Sequence, residues 1–354
     1  MSFWEGLDAG RSGSWSEGPG GQALSALYHQ GGMVEPAWAV LHPAGFEWWA
    51  GAHAQRVAVT QEQCLEGLRV SRLLLEADVC AELPATPEAR ERVNLLNQHA
   101  SLSALAANEN GGLVLAASLL VHEKNLAWTR RILSPLFALQ AAEAGAMAAA
   151  LAQVGATPAT SAHPSAGPRL STQAQLGALA SLVLARGAAP ELDPRIFEDV
   201  AATLRDAGLV ARADQRGLDV EMPFAGETAV LQMLGPMQHP GLGMGVLCVL
   251  VLPVLAVRHA LAGEGLPALL ARLNAQARSP KFHAESLPAL GGWAPDPSSG
   301  HPALAAFVPA PLAADEVLTD LAMAQLARAL LLAHCFDDAG EDTAALARAL
   351  AGAV

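Results

Sequence analysis

Basic residues, cysteines and recognisable catalytic motifs are scarce in this sequence. Its 354 residues include 21 lysines and arginines against 34 aspartates and glutamates, a formal net charge of -13. Nucleic-acid binding depends on basic side chains that release counterions from phosphates, so this balance argues against a nucleic-acid partner. With 52% hydrophobic and 16% charged residues, the chain is typical of a globular protein that is long enough for two domains.

The cysteines do not indicate a disulfide framework. There are only four, none of them in a C-x-x-C pair, and small secreted domains stapled by disulfides are much richer in cysteine. The N-terminus has no basic stretch followed by an apolar run, so no signal peptide is predicted. We therefore expect a cytoplasmic protein whose cysteines act as small core residues: Cys64, Cys80, Cys248 and Cys335.

Common catalytic motifs are not found. None of the eleven histidines lies four residues from another, and the start of a zinc-protease motif at His122-Glu123 is not continued. The stretch Gly10–Ser14 lacks the spacing of a hydrolase elbow, and Gly241–Gly245 lacks the remainder of a nucleotide-binding loop. We predict no catalytic residue, no metal site and no cofactor. Four histidines precede proline and are predicted to be turn residues: His42, His163, His239 and His301.

One long uncharged segment, Gly241–Val257, raises the question of a membrane span. Its length is at the short limit for a spanning helix. It is rich in valine, contains three glycines at its start and has Pro253 in its interior, all of which disfavour a helix. We therefore predict a long buried strand over Met244–Val257, with membrane attachment as a weaker alternative.

The clearest strand pattern covers Leu73–Leu83. Apolar residues alternate with Leu74, Glu76, Asp78, Cys80 and Glu82, which predicts one buried face and one solvated face of a sheet. The three acidic residues of this strand are interpreted as a solvated face. A carboxylate ladder for a divalent cation or for acid-base chemistry is the alternative.

The stretch Val93–Ala150 predicts helix, hairpin, helix. Thr86-Pro87-Glu88 begins the first helix with a capping residue, a proline at the first position and an acid in the first turn. Two apolar runs then flank Asn108–Gly112, which predicts a β-hairpin. The last helix starts near Asn125, and Pro135 inside it is expected to kink or shorten it.

The same order of elements returns in the second half of the chain. Leu96-Asn97 near the end of the first middle helix corresponds to Leu273-Asn274, half the chain length away. We predict an α+β fold of two tandem domains, each with the order helix, antiparallel sheet, helix, β-hairpin, helix, packed as a pseudo-dimer. The predicted boundaries are a flexible N-terminus at 1–20, domains at 21–154 and 191–354, and a linker at 155–190.

This order, with Val93–Asn97, the following hairpin and Asn125–Trp128 at the start of the closing helix, resembles the type III secretion chaperone-like fold and in particular the YbjN-like family, here as two tandem copies. The resemblance covers most of each half and omits the linker. It implies a non-enzymatic α+β interaction module, often dimeric, that holds an extended segment of another protein.

Aromatic placement adds to that expectation. Tryptophans are common anchors of protein interfaces, although core packing is their commoner use. The first hypothesis is a cytoplasmic protein-binding or chaperone-like module that captures a polypeptide, with a homodimer as a further option. The alternative is an enzyme or small-molecule sensor with a pocket between the halves, near the His-Pro turns. The predicted partner-binding residues are Trp48, Trp49, Trp128 and Trp293.

Overall fold

The protein folds into two antiparallel sheets with helices packed on them, which confirms the predicted α+β class. It is described here from a computed structural model. The described residues are 3–4, 7, 15, 17–30, 33–65, 67–170, 175–178, 180, 192–193, 195–253, 265–280 and 287–339.

The first half runs from α1 to β8. Thr86 caps α2 as its sequence predicts, because the side-chain oxygen accepts a hydrogen bond from the backbone N–H of Ala89. The elements are α1 (Pro19–Gln30), β1 (Ala39–His42), β2 (Gly45–Trp49), β3 (Ala54–Val59), β4 (Gln63–Leu65), β5 (Leu68–Glu82), α2 (Pro87–Gln98), β6 (Ala104–Ala107), β7 (Leu113–Val121), α3 (Leu126–Ala152) and β8 (Thr157–Pro158).

The second half repeats the pattern with fewer strands. A short 3₁₀ turn, Gln276–Arg278, extends the end of its middle helix. The elements are α4 (Ile196–Asp206), β9 (Val210–Asp214), β10 (Gly217–Phe224), β11 (Glu227–His239), β12 (Gly243–Val251), α5 (Gly265–Ala275), β13 (Gly292–Pro295), β14 (Pro302–Pro309) and α6 (Asp315–Ala339).

The two sheets have the same strand order, which confirms the repeat at the level of topology. The first sheet runs β1-β2-β3-β5-β7-β6, with β4 and β8 paired to β5, and the second runs β9-β10-β11-β12-β14-β13. In both, the hairpin that follows the middle helix adds its second strand to the long central strand, so its first strand becomes the outer one.

A buried asparagine side chain binds backbone groups of the outer strand β6 or β13 of each sheet. Asn97 donates to the carbonyl of Leu105 at 3.2 Å and accepts from its N–H at 2.8 Å. Asn274 makes the same two bonds to Trp293, at 2.9 and 2.7 Å. An outer strand has backbone groups without a neighbouring strand, so each asparagine amide replaces that neighbour.

The halves pack through equivalent elements, as the predicted pseudo-dimer requires. The middle helix α2 lies on β13 of the second half, and α5 lies on β6 of the first. Ser118 on β7 exchanges backbone hydrogen bonds with Ala289, and Phe307 on β14 donates its N–H to the carbonyl of Ala100. One continuous cluster of buried apolar side chains includes residues of both halves.

Several expectations about segments differ from the structure. Helix α3 continues through Pro135 to Ala152, so the proline does not shorten it. Strand β12 ends at Val251 and not at Val257, and residues 254–257 lie outside the described part of the chain. The predicted linker at 155–190 begins as sheet, because Thr157 and Pro158 pair with β5. The sequence also predicts a short helix over Thr172–Arg186 in this segment; most of it lies outside the described residues, and its described positions 175–178 and 180 are helical.

Part of the predicted flexible N-terminus also packs on the first half. Leu7 is buried in a small cluster with Ala44, Ala58 and Leu74. Trp4 stacks on His42 with ring centroids 3.9 Å apart.

Within the described part of the chain, two helices are long and apolar enough to cross a membrane. They are α3 and residues 315–337 of α6, and 78% and 56% of their most hydrophobic windows are buried inside the protein. Such burial is what core helices of a soluble protein show, so these helices are weak evidence for a membrane location. Residues 243–251 of the segment considered for a membrane span on sequence grounds form β12, which is paired on both sides.

Candidate functional site

A cavity of about 830 Å³ lies between the halves and is mostly apolar. We call it the inter-half cavity. It is bounded by α2 and α3 of the first half, by Gly177 and Ala180, and by the end of β11 and the turn that follows it in the second half. The described lining residues are Leu95, Leu96, His99, Ala142, Glu143, Ala146, Met147, Gly177, Ala180, His239, Pro240, Gly241, Leu242 and Gly243.

The wall formed by α3 follows from helical spacing. Ala142, Glu143, Ala146 and Met147 recur at intervals of three and four residues, so they share one face of the helix. The alanines leave space in front of the helix because they have no side chain beyond Cβ. The cavity therefore arises from the alanine-rich composition of α3.

His239 fixes the turn that forms the opposite wall. Its Nδ1 accepts hydrogen bonds from the N–H groups of Gly241 and Leu242, both at 3.1 Å. Its Nε2 lies 2.8 Å from the carbonyl oxygen of His99 and therefore carries the proton. Burial lowers the pKa of His239, which agrees with a neutral ring. The side chain thus ties the turn of the second half to the end of α2.

His163 uses its ring in the same way. Its Nδ1 accepts from the N–H groups of Ser165 and Ala166, two and three residues further along the chain. The prediction that histidines before proline are turn residues is therefore off by one position here: His239 is the last residue of β11 and His163 forms a β-bridge with Gly167, and the ring of each binds the turn that follows.

Glu143 is the one acidic side chain among the described residues that line the cavity. It is only 7% exposed, and its Oε2 accepts a hydrogen bond from the Ser101 hydroxyl at 2.5 Å. Its Oε1 is buried and has no hydrogen-bond partner. Burial raises the pKa of Glu143 to about 7, and the bond from Ser101 opposes this only in part.

The raised pKa means that Glu143 weakens the fold when it is ionised. The folded pKa is above the ordinary value of 4.5, so stability is highest while the carboxyl is protonated and falls as the pH rises from 4.5 towards 7. A shift of this size corresponds to roughly 3 kcal/mol at alkaline pH. A buried ionisable group that opposes stability at the wall of a cavity is typical of a functional site.

The predicted partner-binding tryptophans do not meet at one surface. Trp48 is 1% exposed and stacks on Phe137 with centroids 5.3 Å apart. Trp49 is 3% exposed and donates from Nε1 to the Ser161 hydroxyl at 2.9 Å. Trp293 is 2% exposed and lies at the Asn274 contact.

These three are packing residues in this structure. Trp128 is the member of the predicted set that remains half-exposed, at the start of α3.

The acidic strand face was predicted to be solvated, and this is wrong for two of its residues. Glu76 is 2% exposed and accepts a hydrogen bond from Arg278 of the second half at 2.7 Å. Asp78 is half-buried and binds Arg56 through both carboxylate oxygens, at 2.7 and 2.8 Å. Only Glu82 is exposed. This face is covered because the 3₁₀ turn after α5 packs on it. The alternation of residues along one strand cannot show that a distant segment covers the strand.

A smaller cavity of about 470 Å³ lies over this charged network and is lined by residues including Trp4, Glu47, Glu76 and Arg278. Its arginines are engaged by carboxylates, as the distances above show. Among the described residues, no group of three or more histidines, cysteines or acidic residues could hold a metal ion. The carboxylate-ladder alternative therefore receives no support from this strand.

Comparisons with protein-family models, curated proteins and solved structures give no match to this chain. The resemblance to the secretion chaperone-like fold accordingly stays a prediction. The proposals below rest on the geometry of the chain itself.

Sequence reasoning did not single out Glu143 or His99. A signal for Glu143 was present, since it is the one charged residue of α3 after Arg131, within a helix rich in alanine and leucine. A single charge in such a helix is unusual because buried charges need a partner. The position of the cavity near a His-Pro turn between the halves, in contrast, was part of the sequence-based alternative.

Proposed function

We propose that the protein binds a small, largely apolar molecule in the inter-half cavity. The observation that carries this proposal is the buried carboxyl of Glu143, which has one unpartnered oxygen at the wall of a mostly apolar space. Ligand sites commonly combine an apolar lining with a few polar groups that fix orientation. Because the walls come from both halves, a bound ligand would stabilise their association.

The proposal is tested with a neutral apolar dye, N-phenyl-1-naphthylamine, whose fluorescence rises in an apolar site. We expect saturable binding with one site per chain. Ala146→Trp places an indole in the cavity from an exposed position of α3, so the fold should tolerate it and dye affinity should fall at least tenfold.

Ala149→Trp is the matched control, because Ala149 is exposed on the same helix and does not belong to the lining. It should leave dye affinity within about twofold of the parent protein. Equal dye affinity in Ala146→Trp and Ala149→Trp, or no saturable dye binding to the parent protein, would contradict the proposal.

Capture of an extended polypeptide is the second candidate, and one observation favours it. The outer strands β1 and β9 occupy equivalent places in the two sheets, and each exposes a large apolar side chain, Leu41 at 60% and Val210 at 59%. Exposed strand edges can accept an added strand. A cytoplasmic location and a protein partner without nucleic acid fit the acidic composition.

Native mass spectrometry of protein purified gently from its host separates the two candidates. An added mass of a few hundred daltons supports the cavity ligand, whereas an added polypeptide that is lost from the Leu41→Lys, Val210→Lys double variant supports strand capture. A polypeptide retained by that variant would exclude binding at these edges.

A further inference from the structure

We infer that the ligand of the inter-half cavity is an amphiphilic amine, with an apolar body among the aliphatic side chains and an ammonium group at Glu143. This inference rests on the proposed function and names the class of its ligand. It goes beyond a cavity of suitable size because it assigns one residue the role of recognising charge.

The first step is the hydrogen-bond state of Glu143. The Ser101 hydroxyl occupies one carboxylate oxygen at 2.5 Å, while the other has no partner. A buried polar atom without a partner is costly, so a ligand that donates a hydrogen bond to Oε1 removes a penalty that the empty protein bears. Oε1 is nearly inaccessible in the empty cavity, so binding includes a small rotation of the Glu143 side chain.

The second step is charge. None of the described residues that line the cavity is a lysine or an arginine. The remaining titratable residues of the described lining are His99 at the end of α2 and His239, the last residue of β11. The bonds of His239 to three backbone groups hold it neutral. We assign to the ligand the positive charge that the described lining lacks.

The third step compares ligand head groups. A hydrogen bond between an ammonium and a carboxylate is about twice as strong as one between neutral groups, and it is strengthened further in an apolar space. A carboxylate ligand would instead be repelled by ionised Glu143. The net charge of -13 also raises the local concentration of cations and lowers that of anions.

The apolar part of the cavity accounts for the body of the ligand. Leu95, Leu96, Met147 and Leu242 contribute flexible or branched aliphatic side chains to the lining. Leu95 is 44% exposed in the empty protein, so a ligand that covers it gains burial that the fold alone does not provide. An alkyl chain satisfies this requirement without further polar contacts.

The experiment is isothermal titration of the full chain with octylamine, octan-1-ol and octanoate, which share one alkyl chain and differ in the head group. At pH 8 we expect octylamine to bind at least tenfold tighter than octan-1-ol, and octanoate to bind most weakly. Glu143→Gln keeps the shape of the side chain and removes its charge. It should reduce octylamine affinity to the level of octan-1-ol while changing octan-1-ol affinity by less than threefold.

A pH comparison on the unaltered protein needs no variant. An alkylammonium stays protonated well above pH 8. Because Glu143 ionises near pH 7, octylamine affinity should rise about tenfold between pH 6 and pH 8, and octan-1-ol affinity should not. His99 and His239 also line the cavity, so the rise must disappear in Glu143→Gln if Glu143 causes it.

The outcomes separate this inference from the proposed function. If octan-1-ol and octylamine bind equally and Ala146→Trp blocks both, the cavity binds apolar ligands and the inference about amines is wrong. If octanoate binds most tightly, the inference is likewise wrong. If neither these compounds nor the neutral dye bind, the proposed function itself fails.

Discussion

Replacing Arg278 by methionine should lower the free energy of unfolding by about 3–5 kcal/mol, because Glu76 would remain buried without its cation. The Glu76 side chain is 3% exposed and Arg278 Nε lies 2.7 Å from it. Burial already raises the pKa of Glu76, and the charge of Arg278 opposes that rise. Denaturant unfolding at pH 7.5 measures the loss.

The pH dependence of this loss of stability shows whether the ionised Glu76 causes it. An acid whose folded pKa is raised is best tolerated when protonated, so stability falls as the pH rises above the ordinary value of 4.5. The difference in free energy of unfolding between Arg278→Met and the parent protein should therefore become smaller near pH 4.5. Adding Glu76→Gln to Arg278→Met should recover most of the loss at pH 7.5. If it recovers nothing, Arg278 acts through packing and not through its pairing with Glu76.

Alanine at Asn97 and at Asn274 should have nearly equal effects, each lowering the free energy of unfolding by about 2–4 kcal/mol. Each substitution leaves one N–H and one C=O of an outer strand buried without a partner, at Leu105 or at Trp293. The two sites are 1% and 5% exposed, so water does not readily replace the amide. Urea unfolding of the two variants gives the comparison.

Asn94→Ala is the matched control for Asn97→Ala. Asn94 lies on the same helix and is half-buried, and its side chain has no described hydrogen bond, so alanine there should change stability by less than about 1 kcal/mol. A large loss of stability in one of the variants Asn97→Ala and Asn274→Ala, with none in the other, would contradict the structural equivalence of the halves.

Local signals in the sequence predicted much of the fold. The cap at Thr86, the Asn108–Gly112 turn and the paired asparagines are short-range features, and the structure shows each of them. The repeat could be predicted because both halves use the same order of elements. Of the candidate site, the sequence predicted a place between the halves near a His-Pro turn.

Long-range packing could not be predicted in the same way. The alternation around Glu76 indicates which residues share a face of β5, but the residue that covers that face, Arg278, is distant in the chain. The same limit applies to Trp48 and Trp49. A strand directs adjacent side chains to opposite faces, and only the folded chain shows that α3 covers one and the segment around Ser161 covers the other.

The reciprocal packing of the two middle helices has a consequence for synthesis on the ribosome. The outer strand β6 is contacted by α5, and α2 rests on β13, so each half completes its interior with a helix or strand encoded in the other. At about 5–20 residues per second, the nascent first half waits on the order of ten seconds before β13 and β14 emerge. During that interval the surfaces of α2 and β6 that the second half later covers are open to solvent, so we expect molecular chaperones to bind the newly made chain.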